Sequence, residues 1–161
     1  MEIIKSSRHQ KIIGAFGENL ICNWLSRSGF EVAVVDHTGI DIIAYNKSTG
    51  QRLGITVKSR TRTAGTEAVS VSIFRKNDRD KLLAACKAFG CEPWIAVYVE
   101  ATGLGELYLT SLEKYDAKYR GKEGKATDAW KMKARDRESY ERDPAVKHVR
   151  IEFHVTNWFP T

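Results

Sequence analysis

The sequence predicts an α/β protein with a mixed central sheet flanked by helices. Three observations carry that reading. A helical apolar pattern opens the chain. Three short strand-like runs follow it. A second helical pattern then leads into a strongly apolar run and further strands.

In residues 8–28 the apolar positions Ile13, Phe16, Leu20, Ile21, Trp24 and Leu25 recur at helical spacing, and Ser28-Gly29 ends the pattern. Residues 30–35 read as a strand, 36–39 as a turn, 40–45 as a second strand and 46–50 as another turn. Residues 53–58 give the third strand and 69–74 a fourth, joined by a polar link. Residues 78–89 form a helix closed by Gly90, with Leu82, Leu83, Ala85, Cys86 and Phe89 as its apolar positions. The apolar run 94–99 suits a central strand, 106–110 a short one and 149–154 an edge strand. Between 111 and 147 the apolar pattern fades and charges dominate, which reads as a helical excursion or a mobile loop.

The length of 161 residues fits a single domain, 1–161, with the charged excursion at about 111–147. At 42% hydrophobic and 29% charged, the chain should bury a real core. A net charge of +6 suits a polyanion, nucleic acid first and an acidic membrane surface second. No run reaches the about 18 apolar residues of a membrane-spanning helix. The opening MEIIKSSRHQ has no secretory core, so a cytoplasmic protein is expected. Cys22, Cys86 and Cys91 lack CxxC spacing and read mainly as buried thiols, with a zinc site from Cys86, Cys91 and His148 as the minor alternative.

The chemistry concentrates in the hairpin of residues 39–58. Side chains alternate along a strand, so Ile40, Ile42 and Ala44 should share a face with Ile55 and Val57. Asp41, Thr56 and Lys58 then fall on the other face. Asp41 opens one strand and Lys58 closes the next, so an acid and an ammonium meet at one end of the sheet. Phosphodiester hydrolysis needs a hard cation that polarises a phosphoryl oxygen and lowers the pKa of a water. Magnesium favours a few carboxylates plus waters. Glu18, beside the apolar stripe of the first helix, is the best second carboxylate, because Gly14-Ala15-Phe16-Gly17 lets that helix approach the sheet. An ordinary cross-strand ion pair of Asp41 with Lys58 is the plain alternative.

Gly17-Glu18, Gly39-Ile40-Asp41 and Val57-Lys58-Ser59, in this order, resemble the PD-(D/E)XK nuclease superfamily, and within it the archaeal Holliday-junction resolvases and other restriction-endonuclease-like proteins. The resemblance covers about residues 8–99. It implies a restriction-endonuclease-like sheet flanked by helices, a divalent metal (Mg²⁺ or Mn²⁺), DNA as partner and substrate, and often a homodimer. Carried over residue by residue, Glu18 and Asp41 would be metal ligands and Lys58 the catalytic lysine. The departure is Thr56, where the family has Glu, Asp or Gln. Three explanations stay open. The Val57 carbonyl with Glu18 and Asp41 suffices for one metal; another acid, such as Glu67, has moved in; or the site is degenerate and the protein binds DNA without cutting it.

Arg60 and Arg62 follow Lys58, Arg8, His9 and Lys11 begin the first helix, and Lys76, Arg79 and Lys81 begin the second. These bases would contact phosphates. Tyr115, Tyr119, Trp130 and Tyr140 suit helix packing or a dimer contact, or, less simply, stacking on unpaired nucleotides. The competing functions are thus a metal-dependent DNA endonuclease, a catalytically degenerate DNA-binding module, and an RNA-processing enzyme on the same scaffold. No phosphate-cradling Gly-rich loop or nucleophile elbow supports a small-molecule enzyme.

Overall fold

The computed structural model describes residues 3–121 and 128–159. Its element order is α1 (His9–Arg27), β1 (Phe30–His37), β2 (Ile40–Asn46), β3 (Arg52–Thr61), β4 (Val71–Ser72), α2 (Asp78–Phe89), β5 (Glu92–Ala101) and β6 (Leu104–Ser111). A short α3 (Leu112–Lys114) runs into a π-turn (Tyr115–Tyr119), followed by β7 (Ala129–Trp130), α4 (Ala134–Arg142) and β8 (Lys147–Glu152).

Six strands form the central sheet in the order β1-β2-β3-β5-β6-β8. All neighbours are antiparallel except β3 and β5, which run parallel. A parallel pair needs a crossover, and α2 supplies it. The expected mixed sheet flanked by helices is therefore present, with the apolar run of β5 inside it. The expected fourth strand is shorter than its sequence suggests: only Val71–Ser72 pairs, with β7, in a separate two-stranded sheet.

The sheet divides two apolar cores. On one face α1 lays a stripe at four-residue spacing, Ile13, Gly17, Ile21 and Leu25, over Ile42, Ala44, Leu53, Ile55 and Val57. On the other, Leu82, Ala85 and Cys86 of α2 join Val97, Val99, Tyr108, Tyr115, Trp130 and Tyr140. The expected alternation holds for Ile42, Ala44, Ile55 and Val57. It fails at Ile40, which belongs to the α2-side core and approaches the bare face of Gly54. The start of β2 pairs with β1 across a bulge between Val34 and His37, and there the strand is twisted away from a simple two-residue period. Gly39, before it, has φ +97° and lies against the main chain of Lys81, so both its conformation and its bareness are required.

The charged segment 111–147 is a folded cap, apart from residues 122–127, which lie outside the described part. Its aromatics pack on the sheet and on one another. Trp130 and Tyr140 stack at 4.1 Å, and Tyr108 stacks on His148 at 4.7 Å. Tyr115, Trp130 and Tyr140 are buried, which removes them as platforms for nucleotides. The sequence of α4 is so polar because ion pairs dock it. Glu106, only 3% exposed, forms an ion pair with Arg137 at 2.7 Å and accepts from Arg150 at 3.1 Å, and Arg150 also reaches Glu141 at 2.6 Å.

Burial works to raise the Glu106 carboxyl, but His148, Arg137 and Arg150 outweigh it and hold it at about 2. A folded-state pKa below the ordinary 4.5 stabilises the fold above that value, and the gain is lost as pH falls toward 2. Acid titration of the melting temperature should show that loss. Glu106→Gln, which removes the buried charge that Arg137 and Arg150 share, should lower stability by about 1–3 kcal/mol at neutral pH and flatten the acid limb.

Candidate metal and phosphate site

The site forms where β2 and β3 part. Their last paired residues at this end are Ile42 and Ile55. One step further, the Asp41 carboxylate takes the place of a strand. Its Oδ2 accepts from the Val57 N–H at 2.6 Å and from the Thr56 hydroxyl at 3.3 Å. Its partners are the main chain and a hydroxyl of β3, not the Lys58 ammonium. Oδ1 is left for another partner among the described residues. In an extended strand a residue's N–H and C=O leave on the same side, so the Val57 carbonyl also faces the Asp41 edge.

Thr56 thus has a structural task. It is 6% exposed and orients Asp41. A carboxylate at that position would stand directly beside Asp41, and a hydroxyl instead donates to it.

Glu18, half-buried on α1, lies near enough to Asp41 to feel its charge. Burial raises its carboxyl above the ordinary 4.5, and the charge of Asp41 adds to the rise. The approach of α1 is set by Gly17, which is buried: a Cβ there would collide with the Ser59 hydroxyl of β3. Of the two small residues expected to admit the helix, Gly17 does so. Gly14 faces open space and lines a pocket instead.

That pocket, about 400 Å³, adjoins Lys58. Gly14 of α1, Val57–Arg60 of β3, Ser72 of β4, Ile73 and Arg75 of the following loop, and Asp78 at the start of α2 line it. Lys58 is half-buried there. Ser59 and Arg60 also line a second groove, about 410 Å³, with Lys5, Ser6, Ser7, His9, Gln10, Thr61 and Arg62. Lys5 donates to the Thr61 carbonyl at 2.6 Å, and His9 Nε2 stands 2.8 Å from the Thr61 hydroxyl. The two concavities share Ser59 and Arg60 and together set a basic surface at the end of β3.

The other expected bases differ in availability. Arg8 and Lys11 on α1 and Lys76 before α2 are exposed. Arg60 donates to the Ser59 carbonyl at 2.8 Å. Arg62 braces the loop through the Val69 and Ser70 carbonyls, and burial, then Arg60, lowers its pKa. Arg79 is engaged by Asp116 at 2.7 Å and Asp128 at 3.2 Å. Arg75, Ser72 and Asp78 were not singled out from the sequence, where one more arginine in a basic chain gives no signal.

Two alternative sites resolve differently. Glu67 lies beside Glu106 and Arg137, at a pocket lined by Val99, Ala101 and Met132, and not with Asp41. Cys86 and Cys91 spend their thiols on the carbonyls of Gly54 and Phe89, while His148 stacks on Tyr108 from the edge strand β8, so these three do not assemble a zinc site. His148 instead groups with Glu106 and Glu141, whose ligand atoms lie within 4.8 Å of one another. Arg137 and Arg150 already neutralise those carboxylates.

Glu18, Asp41 and the Val57 carbonyl fit a hard divalent cation. All three donors are oxygens, and two carboxylates that repel one another are relieved by a cation between them. A carboxyl whose pKa rises on folding loses stability as pH climbs through the raised value. In EDTA, Glu18→Gln should therefore melt at a higher temperature than wild type at neutral pH and lose part of the wild-type pH slope. Gly17→Ala should cost about 1–3 kcal/mol, measured by urea unfolding, because α1 must lift from β3.

No protein-family model matches this chain, and no curated protein matches it in sequence. Among solved structures it is similar to Archaeoglobus fulgidus Hjc, a Holliday junction resolvase from an archaeal hyperthermophile, at 20% identity and a TM-score of 0.48. That match covers 62% of this chain and 73% of the archaeal one.

Proposed function

We propose that this protein is a metal-dependent DNA endonuclease that hydrolyses phosphodiester bonds, with branched or structured DNA as its substrate class. The observation that carries the reading is the Asp41 carboxylate held on the Val57 N–H and the Thr56 hydroxyl at the end of β3 that also bears Lys58 and its pocket, with Glu18 of α1 near enough to feel the Asp41 charge. A cross-strand ion pair with Lys58 would hold Asp41 by a different contact.

In this reading Glu18, Asp41 and the Val57 carbonyl hold Mg²⁺ or Mn²⁺. The ion, when bound, polarises a phosphoryl oxygen and makes a water acidic. Lys58 stabilises charge developing on the phosphate. Thr56 keeps Asp41 in its rotamer. Arg8, Lys11, Arg60, Arg62 and Lys76 contribute the field that draws the DNA backbone in, which supplies affinity without sequence choice.

The neutral Thr56 favours one second reading, a DNA-binding module of the same fold that does not cut. A panel of supercoiled, linear, single-stranded and four-way-junction DNA, with Mg²⁺, Mn²⁺ or EDTA, separates the two. The nuclease predicts metal-dependent cutting that falls by at least about 10²-fold in Lys58→Ala and Asp41→Ala. It also predicts that Mn²⁺ raises the melting temperature of wild type but not of Asp41→Ala. Binding without cutting on every substrate would establish the module.

A further inference from the structure

The cations around the pocket differ in what already holds them. Arg79 is taken by two aspartates, Arg62 by two carbonyls and Arg60 by one. Arg75 is not. Its side chain is exposed, makes no hydrogen bond or ion pair with a described residue, and lines the same pocket as Lys58.

Its backbone, in contrast, is firmly placed. The Arg75 N–H donates to Asp78 Oδ2 at 2.9 Å. Two residues upstream, the Ile73 N–H donates to the Asp128 carbonyl at 2.8 Å. Two residues downstream, Asn77 adopts a left-handed φ of 69° and turns the chain into α2. A non-glycine residue in that region is uncommon and needs surrounding structure to maintain it. The loop therefore fixes the root of Arg75 and leaves its guanidinium free, across the pocket from β3.

A free guanidinium at a concave wall opposite an ammonium has a specific chemical complement. Two non-bridging oxygens of a phosphodiester match the planar fork of arginine, whereas lysine offers a point charge. We propose that Arg75 is a phosphate-binding residue of this pocket, forked onto the non-bridging oxygens of the backbone phosphate seated against Lys58. The cleavage half of this inference rests on the nuclease reading, and the binding half does not.

The test compares wild type, Arg75→Ala and Arg75→Lys with Arg135→Ala, which removes an exposed charge on α4 away from the pocket. Affinity for a four-way junction and a plain duplex is measured in EDTA across a salt series. Single-turnover cleavage is measured with Mn²⁺. Arg75→Ala should weaken binding, reduce the slope of log Kd against log salt by about one, and slow cleavage on the order of 10²-fold. Arg75→Lys should restore the slope but not the full rate. Should Arg75→Ala change the melting temperature, Arg75→Gln keeps the stem and removes the charge.

Arg75 variants that match Arg135→Ala in slope and rate overturn the inference while a cutting wild type leaves the nuclease standing. A wild type that binds without cutting, with the slope still lost in Arg75→Ala, overturns the nuclease and supports the phosphate contact. A wild type that neither binds nor cuts overturns both.

Discussion

The hydrogen bond from the Val57 N–H to Asp41 is the constraint on which the site depends. A strand that leaves its neighbour exposes main-chain donors, and a buried one must be answered. Here the answer is a carboxylate, so the end of a hairpin ladder and the placing of an acid are one event. Because Thr56 adds a second donor, Asp41 is held by β3 through one carboxylate oxygen. The second carboxylate arrives because α1 can lie close to β3, and it can do so because residue 17 has no side chain. Function and packing therefore meet in the same few atoms: what closes the sheet edge also concentrates negative charge.

Much of this was legible in the sequence because it rests on short-range rules. Period-two alternation identified the hairpin, Ser28-Gly29 and Gly90 marked helix ends, and the small residues before Glu18 pointed to a close helix approach. Ile40 was misplaced because alternation presumes an undistorted strand, and β1 carries a bulge just there. The cap was unreadable for a different reason. α4 has almost no apolar face beyond its own Tyr140 and is docked through Arg137 on Glu106, a partner far away in sequence, and through Glu141 on Arg150 of β8. The availability of each arginine was equally hidden. Arg79 and Arg75 look alike in a string of letters, and only the fold pairs one with Asp116 and Asp128.

Thr56 is better understood from the structure than from the motif it departs from. Seen as a missing acid, it subtracts charge from the site. Seen as a donor to Asp41, it replaces electrostatic repulsion with orientation. On the proposed nuclease reading, two carboxylates and a carbonyl would make a less negative cradle than three carboxylates, which would favour weaker, more exchangeable retention of a divalent ion.

The order of the elements along the chain has a consequence for synthesis. Glu18, Asp41 and Lys58 all lie within the first 58 residues, but the aromatic core on the opposite face, which α2 covers in part, is completed only by the cap, and the sheet edge beyond β6 only by β8. A nascent chain therefore carries its acid pair early while Tyr108, Val97 and Val99 wait for covering partners. Truncation within the cap leaves that face bare and removes Asp128 and Ala129, which pair with Ile73 and Ser72 in the wall of the pocket, so the distal residues act as a built-in check of completeness for the site.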